Sequence, residues 1–119
     1  MAKILITDDS VFMRKMLMDI LSNGGYKDFL EAGNGTEALE QYKKEKPGLI
    51  LLDIIMPEVD GIGVLEKLDK SDIKKVIIVS AVGQEKMKEK AKGLGVVHYV
   101  VKPFAEKDIL SEVKKVLGE

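Results

Sequence analysis

Leu49-Ile50-Leu51-Leu52-Asp53 is a row of four aliphatic side chains brought to a halt by a carboxylate. A strand with one face in water alternates apolar and polar residues. An unbroken apolar run of this length suits a strand covered on both faces, as in the interior of a parallel sheet. Runs of the same kind occupy residues 4–7, 76–79 and 96–101. A weaker one, residues 29–32, carries Glu31 and reads as an edge strand.

Between the runs lie segments with apolar side chains three and four apart. Residues 11–21 place Phe12, Met13, Met16, Leu17, Ile20 and Leu21 at that spacing behind Ser10, a favourable N-cap, and Gly24-Gly25 reads as the stop. Residues 36–46 turn Ala38, Leu39 and Tyr42 inward and end before Pro47; residues 62–68 and 109–117 repeat the pattern. Residues 84–94 offer only Met87, Ala91 and Leu94 amid four lysines, so this fourth helix is expected to dock least tightly. Strand and helix alternate five times. The expected fold is therefore α/β, a doubly wound (βα)5 parallel sheet with helices on both faces and right-handed crossovers. Of the two common orders, the flavodoxin-like 2-1-3-4-5 is expected, which buries strands one, three and four.

Composition narrows the chemistry. The 119 residues suit one domain, 1–119, with a core large enough to need no staple. No cysteine means no disulfide, no thiolate zinc site and no thiol nucleophile. Nineteen basic and twenty acidic residues nearly cancel, and Arg14 is the one arginine, so nucleic-acid binding has little electrostatic support. The N-terminal apolar run is too short for a signal-peptide core, and nothing approaches the ~18 apolar residues of a membrane span. A cytoplasmic location, with no membrane contact, is the expectation.

The decisive pattern is how the runs end. The first is followed by Asp8 and Asp9, the third by Asp53, the fourth by Ser80 and the fifth by Lys102-Pro103. In a parallel sheet all carboxyl ends share one rim, the place where ligands bind in open α/β folds. Three carboxylates, a hydroxyl and an ammonium thus converge. Taken singly, an acid at a strand end is most often a helix cap or turn former, and Asp8-Asp9 could simply cap the first helix. Together they form a set that favours a cation. Oxygen-only ligands indicate a hard ion, and Mg²⁺ fits best. Metal plus lysine is the usual pair for neutralising a transferring phosphoryl group, with a carboxylate as nucleophile. Asp53, a single acid at the end of a central strand, is the best candidate.

These residues resemble the receiver domain of two-component response regulators over the whole chain. The matching set is Asp8-Asp9, Asp53, Met56-Pro57, Asp60-Gly61, Ser80-Ala81 and Lys102-Pro103. The stretches Asp8-Asp9-Ser10-Val11-Phe12-Met13-Arg14 and Ser80-Ala81-Val82-Gly83-Gln84, with Tyr99 three before Lys102, look like the chemotaxis (CheY-like) branch. Receivers have the 2-1-3-4-5 order, so the resemblance implies that order too. The resemblance implies that Asp53 takes a phosphoryl group from a histidine kinase. It implies that Asp8, Asp9, Asp53 and the backbone carbonyl of Ile55 hold Mg²⁺, and that Lys102, Ser80 and the backbone at Ala81 bind the phosphoryl oxygens. Tyr99 would turn from exposed to buried, and the bond before Pro103 would be cis. The responding surface would be the fourth helix, fifth strand and fifth helix, meeting a motor switch or adaptor protein, with a phosphatase as a further partner. The chain would act as a monomer, with no output domain and no separate substrate to turn over.

Charge is uneven. Residues 84–119 carry 8 basic and 6 acidic side chains, net +2, against 11 and 14, net −3, in residues 1–83, which suggests an acidic partner for the output face. Two positions depart from many chemotaxis regulators: Ile55 and Val82 stand where a hydrolytic water approaches, and neither can orient it. Slow dephosphorylation is expected. His98 should point to the sheet face opposite Tyr99 and serve packing. Two rivals remain: a phosphotransfer intermediate that passes the group to another histidine protein, and a flavodoxin-type electron carrier. The acids after strand one would repel a flavin phosphate, which disfavours the latter.

Overall fold

The computed structural model describes residues 3–56 and 59–119; Pro57 of the Met56-Pro57 pair lies outside them. Five strands, β1 (Ile4–Thr7), β2 (Phe29–Ala32), β3 (Leu49–Leu52), β4 (Val76–Ala81) and β5 (His98–Lys102), alternate with α1 (Val11–Asn23), α2 (Gly35–Glu45), α3 (Gly61–Lys67), α4 (Glu85–Gly93) and α5 (Glu106–Leu117). All strand pairs are parallel, in the order β2-β1-β3-β4-β5. This is the flavodoxin-like arrangement the pattern predicts, with β2 at one edge and β5 at the other.

The continuous apolar runs are explained by the two cores they serve. Along β3, Ile50 and Leu52 pack with Leu5, Ile78, Ala38, Val64 and Leu65 beneath α2 and α3. Leu49 and Leu51 face the other way, against Ile4, Ile6 and Ile77 and the α1 and α5 side chains Leu17, Leu21, Ile109 and Val113. Strand side chains alternate faces, so a strand covered twice must be apolar at every position. β2 is covered less completely and leaves Glu31 exposed, as befits an edge.

Local signals set the helix ends. Ser10 Oγ accepts from Met13 N–H to start α1, and Asn34 Oδ1 accepts from Glu37 N–H to start α2. Asp60 Oδ1 accepts from Gly63 N–H to start α3. Asp108 reaches back to the Ala105 N–H at 2.9 Å, which starts α5 three residues earlier than its apolar stripe indicates. Residues 96 and 97 precede β5; Val96 is buried, but Val97 is exposed. A 3-10 segment, Lys70–Lys75, has Ile73 as its one buried side chain and so shows no periodicity to read. The Tyr42 hydroxyl ties it to α2 by donating to Asp72. In α4 only Ala91 is buried, so it is the helix with the least apolar anchorage, as expected. No described helix is long and apolar enough to cross a membrane.

Gly61 lets α3 begin directly beneath the end of β3. Its N–H donates to Ile54 O at 2.7 Å, and a Cβ at this position would lie 2.6 Å from the Asp53 carbonyl oxygen. Gly61→Ala is expected to destabilise the fold by about 1–3 kcal/mol in denaturant titration, because the backbone at Asp53 must shift to admit the methyl group.

Candidate functional site

The four strand ends deliver the expected residues to one rim. Asp8 leaves β1 and Asp53 leaves β3, where its N–H donates to the Thr7 carbonyl at 3.0 Å. Asp8 is 2% and Asp53 7% exposed, whereas Asp9 faces solvent. Each of the three offers a carboxylate oxygen within 4.8 Å of the others. Lys102, at the end of β5, places its Nζ 3.1 Å from Asp8 Oδ2 and 3.6 Å from Asp53 Oδ2. The capping interpretation of Asp8-Asp9 fails here, because Ser10 caps α1; Asp8 Oδ1 instead accepts the Ser10 N–H at 2.9 Å. By contrast, Asp60 is fully accounted for as the α3 cap.

Three carboxylates face one ammonium, and the balance shows in Asp53. Its carboxyl is raised to about 6, first by burial and further by the charges of Asp8 and Asp9, against the opposing pull of Lys102 and a hydrogen bond from the Ile55 N–H. A divalent cation among these oxygens would remove the imbalance. The donor set suits a hard ion: oxygens only, two of them on buried carboxylates and one on an exposed carboxylate open to water.

Ser80 is buried within β4 beside this rim. The Ala81 N–H, expected to face a phosphoryl oxygen, donates to Gln84 Oε1 at 3.0 Å. The Gln84 amide oxygen thus holds a donor that a phosphoryl oxygen would have to win. Tyr99 is half-buried on the α4 side of the sheet, its Oη donating to the Val96 carbonyl at 2.8 Å and Lys88 Nζ lying 5.1 Å from its ring centroid. The peptide bond between Lys102 and Pro103 is cis. His98 points to the other face, with Nδ1 3.3 Å from Glu112 Oε1 on α5. Ile55 and Val82, two residues beyond Asp53 and Ser80, are 54% and 74% exposed. Met13 joins Met16, Pro103 and Phe104 around a cavity of about 360 Å³ that also reaches Lys102. Sequence reasoning passed over Thr7, whose buried Oγ1 has no hydrogen-bond partner among the described residues.

The raised Asp53 carboxyl carries a stability consequence. A folded-state value above the unfolded one contributes stability that is fully present below about pH 4 and lost as pH rises through about 6. At neutral pH the ionised group therefore destabilises the cation-free fold. Asp53→Asn is expected to raise the stability of chelator-treated protein by about 1–2 kcal/mol at neutral pH, the effect being reduced by residual solvent screening. In thermal melts across pH, the gain should fade toward pH 4, and Mg²⁺ should stabilise the parent more than the variant.

Comparison with known proteins agrees with this geometry. A family described as the response regulator receiver domain matches residues 4–114. The chain is 41% identical over 117 residues to the chemotaxis protein CheY of Bacillus subtilis, covering 98% of each chain. It is 42% identical over 115 residues to the CheY of Thermotoga maritima, covering 96% of each. In fold it is similar to a response regulator receiver domain protein from Clostridium thermocellum, with a TM-score of 0.90 at 24% identity, over 99% of this chain and 95% of that one. Sheet order, acidic rim and relatives thus lead to one conclusion: the chain belongs to the response regulator receiver domain family, the phosphorylation-activated switches of two-component signalling, and within it is CheY-like.

Proposed function

We propose that this receiver accepts a phosphoryl group on Asp53 from the phosphohistidine of a chemotaxis-type histidine kinase, in the cytoplasm. The observation that carries the reading is the meeting of the three carboxylates within 4.8 Å, with Lys102 Nζ 3.6 Å from Asp53. A carboxylate oxygen of Asp53 attacks phosphorus, the bond from phosphorus to the imidazole nitrogen breaks, and the electron pair leaves with the imidazole. Asp8, Asp9, Asp53 and the Ile55 carbonyl would hold Mg²⁺, which when bound neutralises charge on the phosphoryl oxygens. Lys102 supplies a second positive charge. The reaction is stoichiometric on the protein itself; there is no separate substrate.

Phosphorylation adds about −1.5 to −2 charge and new acceptor oxygens. Those oxygens compete with Gln84 for the Ala81 N–H and with Asp8 for Lys102, and they accept from Ser80. Space vacated by Ser80 draws in Tyr99, which must give up the Val96 carbonyl and its contact with Lys88. A differential of ~1–3 kcal/mol is enough to shift such an equilibrium substantially. The surface that changes is α4-β5-α5, where α4 is held by the least apolar burial. We assign its partner to the flagellar switch or an adaptor presenting acidic side chains, in line with the net +2 of residues 84–119.

Incubation with Mg²⁺ and acetyl phosphate, followed by intact mass measurement, is expected to show a gain of one phosphoryl group that Asp53→Asn abolishes. No gain, or a gain that persists in the variant, counts against the reading. The exposed apolar Ile55 and Val82 support slow loss of the group, because neither orients water. Ile55→Asn is expected to speed phosphoryl decay several-fold in a discontinuous assay, and equal decay rates would exclude this role for Ile55.

A further inference from the structure

We propose that Arg14 is a positioning residue of the acid cluster, holding the Asp8-Asp9 backbone in the geometry that receives a divalent cation. The inference rests on the reading of that cluster as a cation site. Among nineteen basic residues Arg14 is the sole arginine, and it stands where one side chain must satisfy two acceptors at once. Its Nη1 donates to the Asp8 carbonyl at 2.6 Å, and its Nε donates to Glu31 Oε1 at 2.9 Å. The two acceptors belong to different segments, the chain leaving β1 and the edge strand β2. A planar guanidinium spans them with a fixed fork of donors, whereas an ammonium offers a compact point charge on a flexible stem.

The Arg14 side chain is only 14% exposed. The segment after β2 is shaped around it. Gly33 donates its N–H to Glu37 Oε1 at 2.7 Å, and a Cβ on Gly33 would lie 3.4 Å from Arg14 Nη1 and 3.1 Å from that Glu37 oxygen. This is more structure than a surface ion pair requires, and such a pair alone contributes little stability.

The carbonyl of Asp8 is the group that matters. The rest of that residue is already tied: its N–H donates to Ala32 O at 3.1 Å, Oδ1 accepts from Ser10 N–H, and Oδ2 accepts from Lys102. The carbonyl sets the plane of the peptide joining Asp8 to Asp9, and hence the direction in which the chain carries Asp9. Among the described residues no side chain pairs with the exposed Asp9 carboxylate, so its place beside Asp8 and Asp53 depends on the backbone. Glu31 balances the charge of Arg14. The field at the cluster is therefore little altered, and the effect of Arg14 is geometric.

Calorimetric titration of the cation-free protein with Mg²⁺ tests this, with thermal melts run in parallel. Arg14→Lys keeps the charge and loses the fork; Mg²⁺ affinity is expected to fall about tenfold, the lower end for residues that orient metal ligands. The pair Arg14→Gln with Glu31→Gln keeps the net charge, leaves no unpaired ion, and should show the same weakening; it carries the test should the lysine variant not fold. Faster amide hydrogen exchange at Asp9 and Ser10 in the cation-free variants is the accompanying readout. Parent-like Mg²⁺ affinity in a folded variant overturns the proposal even if its melting temperature drops, since Arg14 would then be a strut between α1 and β2. Absence of Mg²⁺ binding by the parent overturns the cation-site reading and this proposal with it.

Discussion

Mutual repulsion among Asp8, Asp9 and Asp53 is the constraint around which the molecule is organised. Three carboxylates with oxygens within 4.8 Å would separate in any flexible setting, and Lys102 neutralises only one of them. They stay together because Asp8 and Asp53 are attached to strand ends that cannot move independently, and Asp9 is carried by the backbone that follows Asp8. Asp8 and Asp53 are bonded through their N–H groups to the neighbouring strands at Ala32 and Thr7, so the site is a continuation of the hydrogen-bond ladder by one residue. Burial then raises the Asp53 carboxyl to about 6, and the fold holds a local electrostatic imbalance that a cation or a phosphoryl group with its cation relieves.

The sheet can bear that load because both of its faces are covered. Leu49, Ile50, Leu51 and Leu52 serve alternate cores without a polar interruption, and β1 and β4 flank them with the same character. Among the helices α4, buried through Ala91 alone, has the least apolar anchorage and sits at the low-stability end. Rigidity at the acidic rim and looseness at α4 are complementary requirements of a switch: the first makes the chemical event geometrically defined, the second lets a small energy difference be read as a change of surface. Tyr99 lies between them, bonded through its hydroxyl to the Val96 carbonyl just ahead of β5 and touched by Lys88 of α4.

Much of this was legible in one dimension. The unbroken apolar runs of β1, β3 and β4 announced strands covered on two faces, whereas the run at residues 96–101 forms the edge strand β5, in which only Val100 is buried. The acids, serine and lysine that end the runs announced a shared rim. Glu31 marked the edge, and the sparse stripe of Met87, Ala91 and Leu94 marked the loosest helix. The resemblance supplied roles that spacing alone does not contain. Other features left no periodic trace. The 3-10 segment at Lys70–Lys75 has a single buried residue, and α5 begins at Glu106 because Asp108 reaches back to Ala105, a signal easily outweighed by the apolar stripe further on.

The sequence by itself determined the class of sheet and which side chains share the rim, while the strand order came with the family resemblance and is seen in the tertiary structure. Strand parity and the points where strands stop are local properties, and a parallel sheet converts them directly into spatial neighbours. Only the tertiary structure decided what each of those side chains is bonded to. That Arg14 takes the Asp8 carbonyl and Glu31, that Gln84 holds the Ala81 N–H, and that Gly61 must lack a Cβ beneath Asp53 all depend on distances between packed segments. Those distances are set by how the helices seat on the sheet, and helix seating is decided by the packing of many side chains at once.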